Sequence, residues 1–143
     1  MIKGISYLSF ENGLANTQSI ESALAQTKTY GFDALELAIS TEGVLKTSTT
    51  KAECKIIRQK IDDSGIFVDS LASGMSWGIS PTSEDEATRN KSISLHKDAL
   101  QVASNLGCKA LLFVPGVVKS PISSEIVRYD KALDRIRDAI NQL

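Results

Sequence analysis

The sequence is poor in the residues from which most site chemistry is built. Its 143 residues include one histidine, two cysteines and one tryptophan. Cys54 and Cys108 lack metal-ligand spacing and stand among apolar neighbours, as small core hydrophobes do in a reducing compartment. With one histidine and no elbow motif around any serine, a Ser, His and Asp constellation has no basis. No turn after a strand carries a glycine-rich dinucleotide fingerprint or a phosphate loop ending in Lys-Ser or Lys-Thr, so no nucleotide cofactor is expected. Sixteen basic and 17 acidic residues give a net charge of −1 with no basic cluster, which argues against a surface that neutralises nucleic-acid phosphates. No run approaches the roughly 20 apolar residues of a membrane span, and the opening residues enter a strand without a signal-peptide layout. These absences predict a cytoplasmic protein that engages neither nucleic acid nor a membrane.

What is present is regular. With 42% apolar and 23% charged residues, residues 1–143 are expected to form one domain with a sizeable core. Gly31, Gly65 and Gly107 each close a helical pattern, and a short apolar strand follows within a few residues. Those strands are expected at 34–37, 67–72 and 110–114, with another in front at 4–10. Between them, Ile20, Ala23 and Leu24 recur at helical spacing, as do Cys54, Ile57 and Ile61, then Leu95, Ala99, Val102 and Leu106, and finally Leu133, Ile136 and Ile140. Thr50 with Glu53, and Ser83 with Glu86, fit capping boxes that mark two helix starts.

Strands alternating with single amphipathic helices require parallel pairing through right-handed crossovers. The expected fold class is therefore α/β, built of parallel strand–helix units. Helix-to-strand links are short. The strand-to-helix links are long, near 11–17, 40–50, 73–83 and 115–129, and in such folds ligands bind at the carboxyl ends of the strands.

Several stretches resemble a known family. They are Ser6 to Phe10 on the first strand, Gly31 to Ala38 on the second, Ser70 to Gly74 on the third with Trp77 behind it, then 103–116 and Arg128-Tyr129-Asp130. Together they resemble the sugar phosphate isomerase/epimerase family of xylose isomerase-like barrels, above all proteins of the hexulose-6-phosphate isomerase and L-xylulose- or L-ribulose-5-phosphate 3-epimerase type. The resemblance implies a (βα)8 barrel of about 250 residues or more, of which this chain would be the amino-terminal half, four units of eight. It also implies a divalent metal (Mn, Mg, Co or Zn) held by a Glu after strand five, an Asp, a His and a last Glu. Two of those carboxylates would exchange a proton next to the sugar carbonyl through an enediolate. The chain ends within the fourth helix, before any of those four ligands. No metal ligand and no catalytic acid or base is therefore expected within it, and on its own it is expected to be inactive.

Six residues are candidates for contact with a small sugar or sugar phosphate. Glu36 alternates with Leu35 and Leu37, so its carboxylate points opposite to both; it could meet substrate hydroxyls or pair with a lysine. Trp77, between Gly74 and Gly78, could wall off a sugar face or simply anchor its loop. Ser70 and Ser73 could bond a hydroxyl or phosphate, although serines near turns often bond local backbone. Tyr7 and Phe10 could close one side of a pocket or belong to the core. His96, mid-helix beside Leu95 and Ala99, reads as a helix-border residue, and Tyr129 and Asp130 read as a cap and anchor for the last helix.

Four units leave two open strand edges and an apolar inner face, which invite a homo-oligomer or pairing with a second half-barrel. The competing expectation is a non-catalytic half-barrel that binds a polyol or sugar phosphate or assembles with a partner subunit. A response-regulator domain would need an acidic pair after strand one, which Ser9-Phe10-Glu11-Asn12 does not supply. A DNA-repair endonuclease of the same barrel class would need a basic face.

Overall fold

Leu35, Leu37 and Ile39 alternate with Ala34, Glu36 and Ala38, and this period of two builds the strand around which the fold is organised. In the computed structural model, which describes all of residues 1–143, this strand is β2 (Ala34–Ile39). It lies inside a four-stranded sheet with β1 (Gly4–Ser6), β3 (Ser70–Ser73) and β4 (Ala110–Leu112) in the order β1-β2-β3-β4. All three pairings are parallel. Helices α1 (Ile20–Thr29), α2 (Lys51–Ser64) and α3 (Glu86–Leu106) intervene, and α4 (Tyr129–Gln142) follows. This is half of a (βα)8 barrel, and β1 and β4 are its open edges. No helix is long and apolar enough to cross a membrane.

The register assigns the two faces. Ile5, Leu35 and neighbouring outward positions bury beneath the helices, where Leu35, Leu37 and Leu71 are at most 2% exposed in a core shared with Ile20, Leu24, Cys54, Ile61, Val102 and Leu106. Ser6, Glu36 and Ser70 fall in one row on the opposite, concave face. Phe67 and Leu112 remain about half exposed. Ala34 bridges Phe67, whereas Leu37 pairs with Leu71. One extra residue is therefore accommodated on the third strand, a local bulge, and the Asp69 carbonyl there accepts from the Lys109 and Ala110 amides.

Helix ends follow local chemistry. Thr50 and Glu53 form the expected capping box at α2, and Gly65 and Gly107 close α2 and α3 in the left-handed region at φ 73° and 76°, where a Cβ would be strained. The box expected from Ser83 and Glu86 does not form. Asp85 caps α3 instead, its carboxylate accepting from the Thr88 amide at 2.8 Å, because an ionised acceptor at a helix start outcompetes a hydroxyl. Ser83 is drawn away to donate to Glu125 at 2.7 Å. Tyr129 opens α4 but is 74% exposed, so it anchors nothing.

Strand boundaries change: the third strand runs Ser70–Ser73 where 67–72 was expected, and the fourth ends at Leu112. The first strand stops at Ser6, and Tyr7–Ser9 turn into a single 3-10 turn. The link expected at 115–129 contains an antiparallel hairpin, β5 (Lys119–Ser120) and β6 (Ser123–Ile126).

The loops after β1 and β2 are clasped together. Asn16, at φ 54°, is 4% exposed and donates its amide to the Glu42 and Leu45 carbonyls at 2.8 and 2.9 Å. Gly43, at φ 97°, lies so close that a Cβ would sit 2.2 Å from the Asn16 carbonyl oxygen. Gly43→Ala is therefore expected to cost about 2 kcal/mol or more, from left-handed strain plus the clash, read as a lower urea midpoint at unchanged slope. Thr50→Ala should cost about 1 kcal/mol in the same measurement, through the lost cap alone.

Candidate functional site

The long loops meet over the carboxyl ends of β1 to β3 and enclose a cavity of about 570 Å³. Its floor is Ala38, Ile39 and Ala72 from the strand ends, and Leu8 and Met75 wall two sides. Leu14, Trp77 and Ile122, from three different loops, form an apolar rim; they are 86%, 44% and 67% exposed. Asn16, Ser40 and Ser120 supply the polar side chains, and no lining side chain is charged. Such a chamber, apolar with a few fixed hydrogen-bonding groups, suits a small neutral molecule.

The hairpin is held over this chamber by polar links to the loop after β3. Ser120 donates to the Trp77 carbonyl at 3.1 Å, and Thr82 donates to the Val117 carbonyl at 2.6 Å. The Val117 amide returns a bond to the Thr82 hydroxyl at 3.0 Å. Gly116 fits beneath Thr82 and Ile136, where a Cβ would lie 2.2 Å from the Thr82 methyl. Its missing side chain therefore serves loop packing. Arg135 of α4 donates to the Thr82 carbonyl and pairs with Glu84, each at 2.9 Å, and Glu84 holds the guanidinium pKa above its ordinary value.

The six residues singled out in the sequence are distributed over three environments. Trp77 stands on the cavity rim. Glu36 and Ser70 face the same concave side but lie deeper, in a separate recess of about 370 Å³ shared with Gly4, Phe67 and Asp69. There the Ser70 hydroxyl donates to the Glu36 carboxylate at 3.2 Å, and Asp69 pairs with Lys109 at 3.2 Å. Glu36 is the third of six residues on β2, so it sits below the strand end rather than at it. Tyr7, Phe10 and Ser73 do not line the cavity. Tyr7 is 1% exposed, its hydroxyl donating to the Gln18 carbonyl at 2.5 Å, and burial raises its pKa. Phe10 stacks at a tilt on Tyr30. Ser73 is buried and accepts from the Met75 amide at 3.4 Å, a local turn bond.

His96 departs from the expectation of a helix border. It is 1% exposed and wedged between the turn after β3 and β4, with its ring edge-on to Phe113 at 4.6 Å. Both cysteines are unpaired, and burial pushes the Cys108 thiol up to about 11, as suits inert packing.

Leu8, Leu14, Asn16, Ser40, Ser120 and Ile122 line the cavity without having been singled out. The three polar ones are common loop residues, and the others are ordinary hydrophobes. Only the long strand-to-helix links pointed to five of them, and Leu8 fell in the strand expected at 4–10.

No three His, Cys, Asp or Glu side chains come together in a geometry fit for a metal ion. The donor set of these residues therefore does not fit the divalent metal that the family resemblance implies.

A search of curated proteins finds no match to the sequence. Among solved structures, a D-psicose 3-epimerase determined in the presence of D-fructose superposes on 99% of the chain with a TM-score of 0.76 at 23% identity, over 46% of its own length. The D-psicose 3-epimerase of Clostridium cellulolyticum H10, with D-tagatose, matches 99% of the chain at a TM-score of 0.74 and 15% identity, over 47% of its length. A D-tagatose 3-epimerase-like protein matches at 0.70 and 20%, with 99% and 47% covered. The chain thus spans about half the length of the solved structures it matches, and at these identities the likeness is one of fold. A sequence model described as xylose isomerase-like TIM barrel matches residues 24–143, most of the chain. On that match, the chain belongs to the xylose isomerase-like TIM barrel family.

Proposed function

We propose that this chain is the amino-terminal half of a metal-dependent sugar or sugar-phosphate isomerase or epimerase and supplies half of its substrate pocket. The observation that carries the reading is the cavity at the carboxyl ends of β1 to β3, with Trp77 on its rim, in a fold shared over 99% of the chain with a ketose 3-epimerase. In this reading the apolar walls exclude water from the sugar carbons, and Ser40 offers a partner to a hydroxyl, while Asn16 and Ser120, bonded within the loops, hold the chamber's shape. Trp77 would cover one face of the ring or chain. Glu36 and Ser70, deeper on the concave face, would meet a hydroxyl or orient groups from the other half, and Tyr7, Phe10 and Ser73 would support the wall from behind. No lining side chain carries a charge, so a phosphate on the substrate would be met by the other half.

The metal and the proton-transferring carboxylates belong, in this proposal, to that other half. It would pair with the open β1 and β4 edges and cover Phe67 and Leu112, as a further segment or as a partner subunit of different sequence. A non-catalytic half-barrel that binds a polyol is the second reading. It is favoured by one observation, that the cavity is already walled on several sides within these residues.

Exchange of deuterium from solvent into D-fructose at the carbon beside its carbonyl, followed by NMR with Mn²⁺ present, tests the proposal. The chain alone should give none, and the chain assembled with a completing four-unit half should give exchange that EDTA abolishes. Sugar-dependent quenching of Trp77 without exchange in any assembly would favour the binding module. In the active assembly, Trp77→Ala should raise KM roughly tenfold, the equivalent of about 1.4 kcal/mol of lost apolar wall.

A further inference from the structure

Ser40 follows β2 with the same parity as Ala34, Glu36 and Ala38, so it stands on the concave side just above the cavity floor. The other two polar side chains of the lining are already committed. Both amide hydrogens of Asn16 are held by the Glu42 and Leu45 carbonyls, and its Oδ1 is closed off from solvent. The Ser120 hydroxyl donates to the Trp77 carbonyl and accepts from the Ile122 amide at 3.2 Å. Ser40 is partly buried, and its hydroxyl meets no protein partner. The Trp77 indole N–H, on the rim, is free as well. Around these groups stand Leu8, Leu14, Ile39, Met75 and Ile122, and no lining side chain is charged.

We propose that this chamber selects its sugar by a methyl-terminated tail, so that the substrate class is a 6-deoxyketose that carries no phosphate at that end. The inference rests on the sugar-pocket reading above and narrows it. No cluster of His, Cys, Asp or Glu in the chain is fit to hold a metal ion, so the reacting carbonyl is met outside these residues and the chamber receives the non-reacting end. In a ketohexose each carbon of that end carries a hydroxyl. Ser40 can serve one of them and the indole N–H another. At least one is left facing Leu8, Met75 and Ile122, and the terminal one is the hydroxyl whose removal leaves a methyl that such walls accept.

The preference has two sources of the same sign. A hydroxyl that leaves water for an apolar wall without a partner loses its hydrogen bonds, whereas a methyl in the same place removes apolar surface from water. A phosphate would fare worse than a hydroxyl, because its charge would enter a chamber that offers no cation. The size of the effect is bounded. An apolar pocket rejects an added hydroxyl by up to about a hundredfold, and a chamber whose rim residues Leu14 and Ile122 are 86% and 67% exposed leaves the tail partly hydrated, so roughly tenfold is expected. Ser40 contributes affinity to either sugar, since it serves a hydroxyl that both possess. The discrimination belongs to the walls.

The test titrates the intact 143-residue chain with 6-deoxy-D-fructose, D-fructose and D-fructose 6-phosphate, which share one configuration. Trp77 is the only tryptophan, so its indole N–H signal in NMR reports occupation of the chamber. The 6-deoxy sugar should bind with a Kd roughly tenfold below that of D-fructose, and the 6-phosphate should bind most weakly. Ile122→Asn, at an exposed rim position outside the core, should narrow the gap between the first two. Ser40→Ala should weaken both and leave the gap in place. The proposal is overturned if D-fructose or its 6-phosphate binds as tightly as the 6-deoxy sugar, a result that leaves the sugar-pocket reading standing. It is equally overturned if none of the three moves the indole signal, and deuterium exchange in the assembly then judges the sugar reading on its own.

Discussion

Burial of Leu35 and Leu37 against Ile20, Leu24 and Ile61 is the constraint on which the remaining geometry depends. Each such side chain contributes about 1.5–3 kcal/mol on leaving water. Because side chains alternate along a strand, that burial also commits Ala34, Glu36 and Ala38 to the concave face. A slip of one residue would drive the Glu36 carboxylate under α1 and α2, into an apolar core where burying a charge is costly. Parallel pairing passes the same parity to β1 and β3, so Ser6 and Ser70 fall level with Glu36. The concave face therefore inherits its polar row from a hydrophobic decision made on the other side of the sheet.

The cavity above that row is assembled differently. Its rim residues come from loops, which have little apolar core of their own to bury. Polar cross-links do the holding: Asn16 to the 42–45 carbonyls, Ser120 to Trp77, Thr82 to Val117, and Ser83 to Glu125. All but the last satisfy backbone groups that turns would otherwise leave unpaired near the core. Bonds of this kind fix direction more than they add stability, since each nets only about 1 kcal/mol. They allow Leu14, Trp77 and Ile122 to stay exposed around an opening, which a purely hydrophobic collapse would have closed.

The balance between what could be read and what could not follows the range of each interaction. The helix closures at Gly65 and Gly107 and the cap at Thr50 are settled within one turn of chain, and each was legible. The cap of α3 failed as a reading because two acceptors stood two residues apart, and Ser83 was claimed by Glu125 on a distant strand. Trp77 was legible as a rim aromatic because glycines flank it in a long link. Tyr7 was left open between pocket and core, and the 3-10 turn after β1 places its ring in the core. His96 offered no local cue at all, since its burial depends on Phe113 and Ser76, 17 residues after it and 20 before it.

The sequence by itself determined the alternation of the four sheet strands with four helices, their parallel pairing and the end of the sheet at which the long loops gather, because periodicity, caps and link lengths act over short stretches of chain. Its motifs also carried the family likeness. Only the tertiary structure decided which polar groups share a space. It separated Glu36 and Ser70 from the Trp77 cavity, withdrew Ser73 and Phe10 from it, folded a hairpin over it and set His96 behind its wall. Those outcomes depend on contacts between residues tens of positions apart, whose geometry exists only once the core has closed.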